Sequence, residues 1–238
     1  MHLLDLSLPA PADNLALDEA LLLAAEAGRG GEVLRLWESP VVAVVVGAGG
    51  SVGIDVNVAA CAADGVPVLR RASGGGTVVV GPGCLCFAVV LRTDRAPGLD
   101  LIQPSARYVL ERVLAAVRPL APAASIEGIS DLAVGGRKFS GSAQQRKRRH
   151  FLHHGTLLCD FDPARVGRYL HPPERQPAYR ADRPHAAFVT ALSADTATVK
   201  NLLIEEWQPE GEYAPVPWEQ VGELVAEKYG QVEWVGRR

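Results

Sequence analysis

Three segments of this 238-residue sequence combine chemically active residue types with spacings that would bring them together. The first is Arg70-Arg71-Ala72-Ser73-Gly74-Gly75-Gly76-Thr77. Three consecutive glycines cost conformational entropy on folding. They make sense where a backbone must approach a ligand closely and present its N–H groups. Behind two arginines, such a ribbon suits a phosphate or a carboxylate; the plain alternative is a tight turn beside a solvated arginine pair. The second segment runs from Asp131 to Ala143, and its Gly135-Gly136 is a two-residue hairpin signal. A two-residue loop sets Val134 opposite Arg137, Ala133 opposite Lys138 and Asp131 opposite Ser140. Opposed residues share a face, so this register predicts Asp131, Lys138, Ser140 and Ser142 on one face, with Leu132 and Phe139 on the other. A lysine, a carboxylate and two hydroxyls beside small glycines make a poor core and a good site, or else a solvent-facing strand. The third segment is Phe151-Leu152-His153-His154-Gly155-Thr156. Adjacent histidines in a strand face opposite ways, which argues against a metal pair and for one histidine in a polar pocket.

Positioning these segments requires strands and helices around them. Residues 2–7 alternate like a strand, and Asn14 to Ala27 read as a helix capped by Asp13 or Asn14. Asp18 and Glu19 lie toward its positive end and Gly28 stops it. Residues 33–37 and 41–46 read as strands, the second apolar on both faces and therefore central. A short helix near 56–63 precedes a strand at 66–70. Segments 77–80 and 84–91 read as a strand pair joined by Gly81-Pro82-Gly83. An amphipathic helix spans 104–118, with Pro104 in its first turn. Further helices run from Asp162-Pro163 to Leu170, from a Ser193 cap through Trp207, and from Trp218 to Lys228. Strands in runs, broken by helices at irregular intervals, indicate an α+β fold with a mixed or antiparallel sheet rather than a βαβ repeat.

Composition narrows the class. With 48% hydrophobic and 21% charged residues and a net charge of −3, the chain reads as an ordinary soluble globular protein, not a disordered segment or a general nucleic-acid binder. The length suits one domain over residues 1–238, with 193–238 as a C-terminal helical segment. No signal-peptide pattern and no membrane-length apolar run is visible, so the expectation is a cytoplasmic protein without a membrane partner. Cys61, Cys84, Cys86 and Cys159 fit no zinc spacing and read as buried thiols. The run Arg146-Lys147-Arg148-Arg149 is a solvated loop by default; beside the site it could also steer an anionic cosubstrate or an acidic partner.

RRASGGGTV at 70–78, GPGCLCFAVVL at 81–91, SDLAVGGRKFSGSAQ at 130–144 and FLHHGTLL at 151–158, in this order and spacing, resemble the lipoate–protein ligase A family of the biotin and lipoate ligase superfamily. NLALDEALL at 14–22 and RLWESPVVAVVVG at 35–47 agree with it. The resemblance covers about residues 2–170 and, more loosely, 177–192. It implies a central mixed sheet packed by helices, related to class II aminoacyl-tRNA synthetases and biotin ligases. It implies a reaction in two halves: lipoate and MgATP give lipoyl-adenylate and pyrophosphate, and the acyl group then passes to a lysine of a lipoyl carrier domain. Lys138 matches the family's essential lysine, whose ammonium can neutralise the ligand carboxylate and α-phosphate. Substrate or adenylate contacts are implied at Arg70, Arg71, Ser73, Gly74, Gly75, Gly76, Thr77, Asp131, Ser140, Gly141, Ser142, His154, Gly155 and Thr156, with Asp131 also a candidate for Mg2+. Val44, Val46, Val78 and Phe87 are candidates, by strand position, for an apolar tunnel.

The sequence departs from the family where Gly47-Ala48-Gly49-Gly50-Ser51 replaces an arginine and a Gln-Asn-like element, and where Ser130 replaces a common Asn. Too few residues follow 192 for the accessory domain of long ligases. The chain resembles short forms, which work with a separately encoded accessory protein or alone, and slow unaided adenylation is expected. One rival is an octanoyltransferase moving acyl groups between carrier proteins. Its cysteine-dependent members need a thiolate upstream of the Asp-Leu strand, where this chain reads AASIEGIS. Biotin ligase lacks support because GRGRxxR is missing. A non-catalytic module binding lipoyl groups or acyl-adenylate is the rival from another class.

Overall fold

A computed structural model describes residues 1–237. Seven strands form the larger sheet, in the order β1 (His2–Asp5), β2 (Val33–Glu38), β6 (Cys84–Arg92), β10 (His150–Leu158), β9 (Arg137–Arg146), β8 (Asp131–Val134), β7 (Ser125–Glu127). β1 runs parallel to β2 and every other pair is antiparallel, so the sheet is mixed. A smaller sheet has β3 (Ala43–Val46) between β4 (Val68–Arg70) and β5 (Val78–Val80). All four β3 residues are buried, as expected of a strand apolar on both faces. The helices are α1 (Pro11–Glu26), α2 (Val52–Asp55), α3 (Val58–Ala63), α4 (Ile102–Val117), α5 (Ala164–Tyr169), α6 (His185–Phe188), α7 (Thr196–Trp207), α8 (Trp218–Leu224) and α9 (Val232–Gly236). None is long and apolar enough to cross a membrane.

Strand alternation divides the interior. Along β6, Cys84, Cys86, Ala88 and Val90 join one core with α1 and the smaller sheet. Leu85, Phe87, Val89 and Leu91 join a second core with α4 and α7. The apolar stripe of α4 supplies Val109, Leu110, Val113 and Val117 to that core, each at most 1% exposed. Burial of such a side chain is worth about 1.5–3 kcal/mol, which anchors the helix layer behind the sheet.

Three expectations need correction. Residues 77–80 and 84–91 are not a strand pair: β5 pairs with β3 and β6 with β2 and β10. The Gly81-Pro82-Gly83 link is therefore a corner between sheets. The α7 cap is Asp195, whose carboxylate accepts from Thr198 N at 2.6 Å, rather than Ser193. The last long helix ends as α-helix at Leu224 and continues as a π-helical turn over Val225–Tyr229.

Candidate active site

The β8–β9 hairpin carries the lysine. Gly135 and Gly136 turn it with φ of +56° and +70°, the left-handed pair a two-residue type I′ loop needs. Val134 faces Arg137 and Ala133 faces Lys138, as expected, but a bulge then shifts the register. Leu132 faces Ser140 and Asp131 faces Gly141. One extra residue on β9 thus puts Ser140 with Leu132 instead of with Lys138. Its hydroxyl is buried and has no hydrogen-bond partner among the described residues. Asp131 still meets Lys138, its Oδ1 lying 2.7 Å from Nζ. Asp131 Oδ2 accepts from the Tyr179 hydroxyl at 2.8 Å.

Lys138 lies where two cavities join. A narrow one of about 120 Å³ runs inward past Phe87, Val78, Val45, Val80, Trp37 and Leu15 to His154 and Asp18. A wider one of about 590 Å³ opens under residues 171–189, with Asp55, Arg175 and His185 on its wall. Gly76, Thr77, Asp131, Lys138, Gly141 and Thr156 border both. Gly75, Ser142 and Gly155 border the narrow cavity, and Ser140 borders the wider one. Of the tunnel candidates, Val78 and Phe87 line the narrow cavity and Val44 and Val46 do not; Val45, on the alternate face of β3, takes their place.

The two arginines differ. Arg71 lines the narrow cavity but spends its guanidinium on the ribbon, donating to the carbonyls of Gly74 (2.5 Å), Gly76 (2.8 Å) and Val45 (3.3 Å) and to Ser73 Oγ (3.0 Å). Burial lowers its pKa to about 10, which leaves it cationic at neutral pH. Arg70 borders neither cavity. It donates to the carbonyls of Gly47 (2.9 Å), Gly50 (2.7 Å) and Val235 (2.8 Å), tying the 47–50 loop to the C-terminal segment. That loop carries glycine because a Cβ at Gly47 would come within 2.1 Å of the Gly75 carbonyl oxygen. The ribbon is thus packed from behind, with Gly74, Gly75 and Gly76 exposed in front.

Sequence reading missed a buried polar chain. The two adjacent histidines do face opposite ways. His154 Nε2 is 2.6 Å from Ser73 Oγ, and its Nδ1 is 3.3 Å from Asp18 Oδ2. Asp18 pairs with Arg35 at 2.5 Å, and Arg35 also donates to Asn14 Oδ1 at 2.6 Å. Ser73 Oγ, which accepts from Arg71 Nε, thus lies on one side of the His154 ring and the Asp18 carboxylate on the other. Asp18 and Glu19 were expected near the helix N-terminus as dipole partners. Both are buried in mid-helix, Glu19 accepting from Lys228, Tyr229 and Gln145. The available signal was Asn14 and Asp18, one turn apart and on the same face as apolar core positions of the helix.

Both oxygens of Asp131, the residue considered for magnesium, are engaged within the protein. One oxygen is paired with a lysine, the other accepts from a phenol, and among the described residues no three His, Cys, Asp or Glu side chains are grouped to hold a metal ion. Cys86 is the cysteine on the narrow cavity, and burial holds its thiol well above its usual pKa, so it offers no thiolate nucleophile.

The family model for the lipoyl protein ligase A/B catalytic domain matches residues 10–208. The chain belongs to this family. It is 34% identical over 198 residues to an Aeropyrum pernix protein assigned by name to lipoate-protein ligase A, covering 83% of this chain and 71% of that one. A Mycoplasma pneumoniae protein similarly assigned is 32% identical over 160 residues, covering 67% of this chain; the match spans only 46% of that longer protein. Among solved structures, a chain from a bi-partite lipoate protein ligase and its E2 lipoyl domain of Thermoplasma acidophilum superposes with a TM-score of 0.82 at 22% identity. That superposition covers 99% of this chain and 96% of the other, and shows a common fold. The glycine ribbon, the β8–β9 hairpin and His154 all lie inside the lipoyl ligase match. The segment from 209 onward, which holds Arg70 and Glu19 from outside, lies beyond it.

Proposed function

We propose that the chain is an ATP-dependent lipoate–protein ligase. The observation that carries this reading is the place of Lys138: the ammonium stands where a narrow, largely apolar channel meets a wider chamber whose wall also carries Asp55, Arg175, Gln176 and His185. A carboxylic acid with an apolar tail would lie in the narrow cavity with its head at Lys138. A nucleotide would lie in the wider one with its α-phosphate at the same point. In the first half-reaction a carboxylate oxygen attacks the α-phosphorus and pyrophosphate leaves with the bonding electrons. In the second, the ε-amine of a carrier lysine attacks the acyl carbon and AMP leaves. Lys138 lowers the repulsion between the two anions and stabilises the oxyanion of the second step; it is not a nucleophile. The ribbon from Gly74 to Gly76, braced by Arg71, and Thr77, Gly141, Gly155 and Thr156 shape the passage between the two ligands. Ser73 and His154 hold the ribbon against β10. Magnesium would enter with the triphosphate, its usual mode of binding, rather than on Asp131.

The partner is a lipoyl carrier domain, with a separately encoded accessory protein assisting adenylation. Four buried free thiols fit a reducing, cytoplasmic setting. The test is the mass of an apo carrier domain after incubation with the chain, lipoate and MgATP. An ATP-dependent lipoyl increment is expected. Modification from octanoyl-carrier alone would make the chain a transferase, and retained binding without modification would make it a non-catalytic module.

A further inference from the structure

Asp131 is held from two sides, and the second comes from far along the chain. Tyr179, on the single-turn helix Ala178–Arg180, gives its hydroxyl proton to Oδ2 at 2.8 Å while Lys138 Nζ meets Oδ1 at 2.7 Å. The Tyr179 segment is fastened to the same hairpin by separate contacts. Arg183 donates to the carbonyls of Gly136 (2.8 Å) and Tyr179 (2.7 Å), Arg137 donates to the Val189 carbonyl (2.7 Å), and Thr190 N donates to the Lys138 carbonyl (2.8 Å). The Tyr179 ring packs on Phe188 with centroids 5.1 Å apart. Burial, followed by the Asp131 charge, raises the Tyr179 pKa, so the phenol stays a donor at working pH.

A lysine on a four-carbon stem has many rotamers, and contact with one carboxylate that is itself free to turn leaves it mobile. A carboxylate with both oxygens engaged cannot turn. We propose that Tyr179 is a positioning residue for Lys138: it locks Asp131, and the locked Asp131 holds the ammonium at the junction of the cavities instead of binding a metal. The reaction served rests on the function proposed above; the positioning itself does not.

Tyr179→Phe and Asp131→Asn in the full chain test both parts. The first readout needs no activity. The native protein is treated briefly with an amine-acetylating reagent, and peptide mass spectrometry compares Lys138 with exposed Lys147 and with Lys228, which is paired to Glu19. Either substitution should raise the Lys138 to Lys147 ratio several-fold and leave Lys228 unchanged. An unchanged Lys138 ratio, or Lys228 rising in step with Lys138, overturns the positioning role. The second readout is ligation. Tyr179→Phe should lower kcat roughly ten-fold or more, the scale of a slightly misplaced catalytic group, with KM for lipoate within about two-fold. The magnesium concentration giving half-maximal rate should stay put in both variants. A wild-type kcat in Tyr179→Phe overturns the inference, as does a several-fold higher magnesium requirement. If the unmodified chain ligates nothing, the proposed function fails while the labelling result still decides the positioning.

Discussion

Lys138 and Gly141 make a matched pair in space. A Cβ at Gly141 would stand 2.7 Å from Lys138 Nζ and 2.9 Å from its Cε, so the glycine gives the ammonium its place. The clash falls on the far end of a flexible side chain that is 29% exposed, so Gly141→Ala should cost little stability, within about 0.5 kcal/mol. It should still push the cation aside and slow ligation roughly 10- to 100-fold. Lys138→Ala should remove ligation to background with the thermal transition nearly unchanged. Normal activity in either variant, measured by carrier mass, would remove the lysine from the reaction. His153 makes a different prediction. Its ring is buried, both nitrogens lack a hydrogen-bond partner among the described residues, and burial, then the electrostatic influence of neighbouring His154, drives its pKa to about 3. The unfolded chain titrates near 6.5. Between those values the unfolded state holds a proton that the native state does not. Stability is therefore intact above pH 6.5 and falls as pH drops below it, by up to roughly 1.4 kcal/mol per unit from this group. His153→Leu should flatten that part of a urea-midpoint profile between pH 6.5 and 4.5. An equal slope in the variant would mean that His153 gains no proton on unfolding.

At the scale of elements, legibility follows the range of the physics involved. The Gly135-Gly136 turn was readable because left-handed φ at two successive residues selects glycine locally. The apolar faces of α4 and β3 were readable because burial imposes a period. The bulge that moves Ser140 away from Lys138 was not. Its extra residue is not glycine and leaves no local mark, so the hairpin count placed Asp131 opposite Ser140 when it lies opposite Gly141. The same limit explains Arg70 and Arg71. Adjacent in sequence beside a glycine run, both suited an anion, but which carbonyls each would meet depended on the 47–50 loop and on residues near 235. Asp18 was visible as a residue and hidden as a partner, since it lies on α1 while His154 and Arg35 come from two separate strands, β10 and β2. The corner at 81–83 was misread for a related reason: glycine and proline mark a change of direction without saying which strand receives the chain.

Across the whole molecule, the charge around the wider cavity limits what the chain can do alone. Among the described residues, the basic side chains on its wall are Lys138, Arg175 and Arg180, with His171 and His185. Arg180 is buried, donates to the Arg183 carbonyl at 3.0 Å and lies over the Phe188 ring. Lys138 is paired with Asp131, and burial lowers the His185 pKa, favouring its neutral form. Among the described residues, exposed Arg175 is then the main cation on this wall left for a triphosphate, and the arginine expected after β3 is replaced by Gly47-Ala48-Gly49-Gly50. Adenylation must stabilise a departing pyrophosphate with several negative charges, whereas acyl transfer from a finished adenylate expels a single phosphate monoester beside Lys138. The two halves should therefore respond differently to help. The pure chain with lipoate and MgATP should release pyrophosphate slowly, and an accessory protein that contributes cations should accelerate it. The same chain given lipoyl-adenylate and apo carrier domain should transfer the acyl group at a rate the accessory protein does not change. Rapid pyrophosphate release by the chain alone would show that Arg175 and magnesium suffice. An accessory requirement in the transfer half would place the missing contribution at the carrier instead of at the triphosphate.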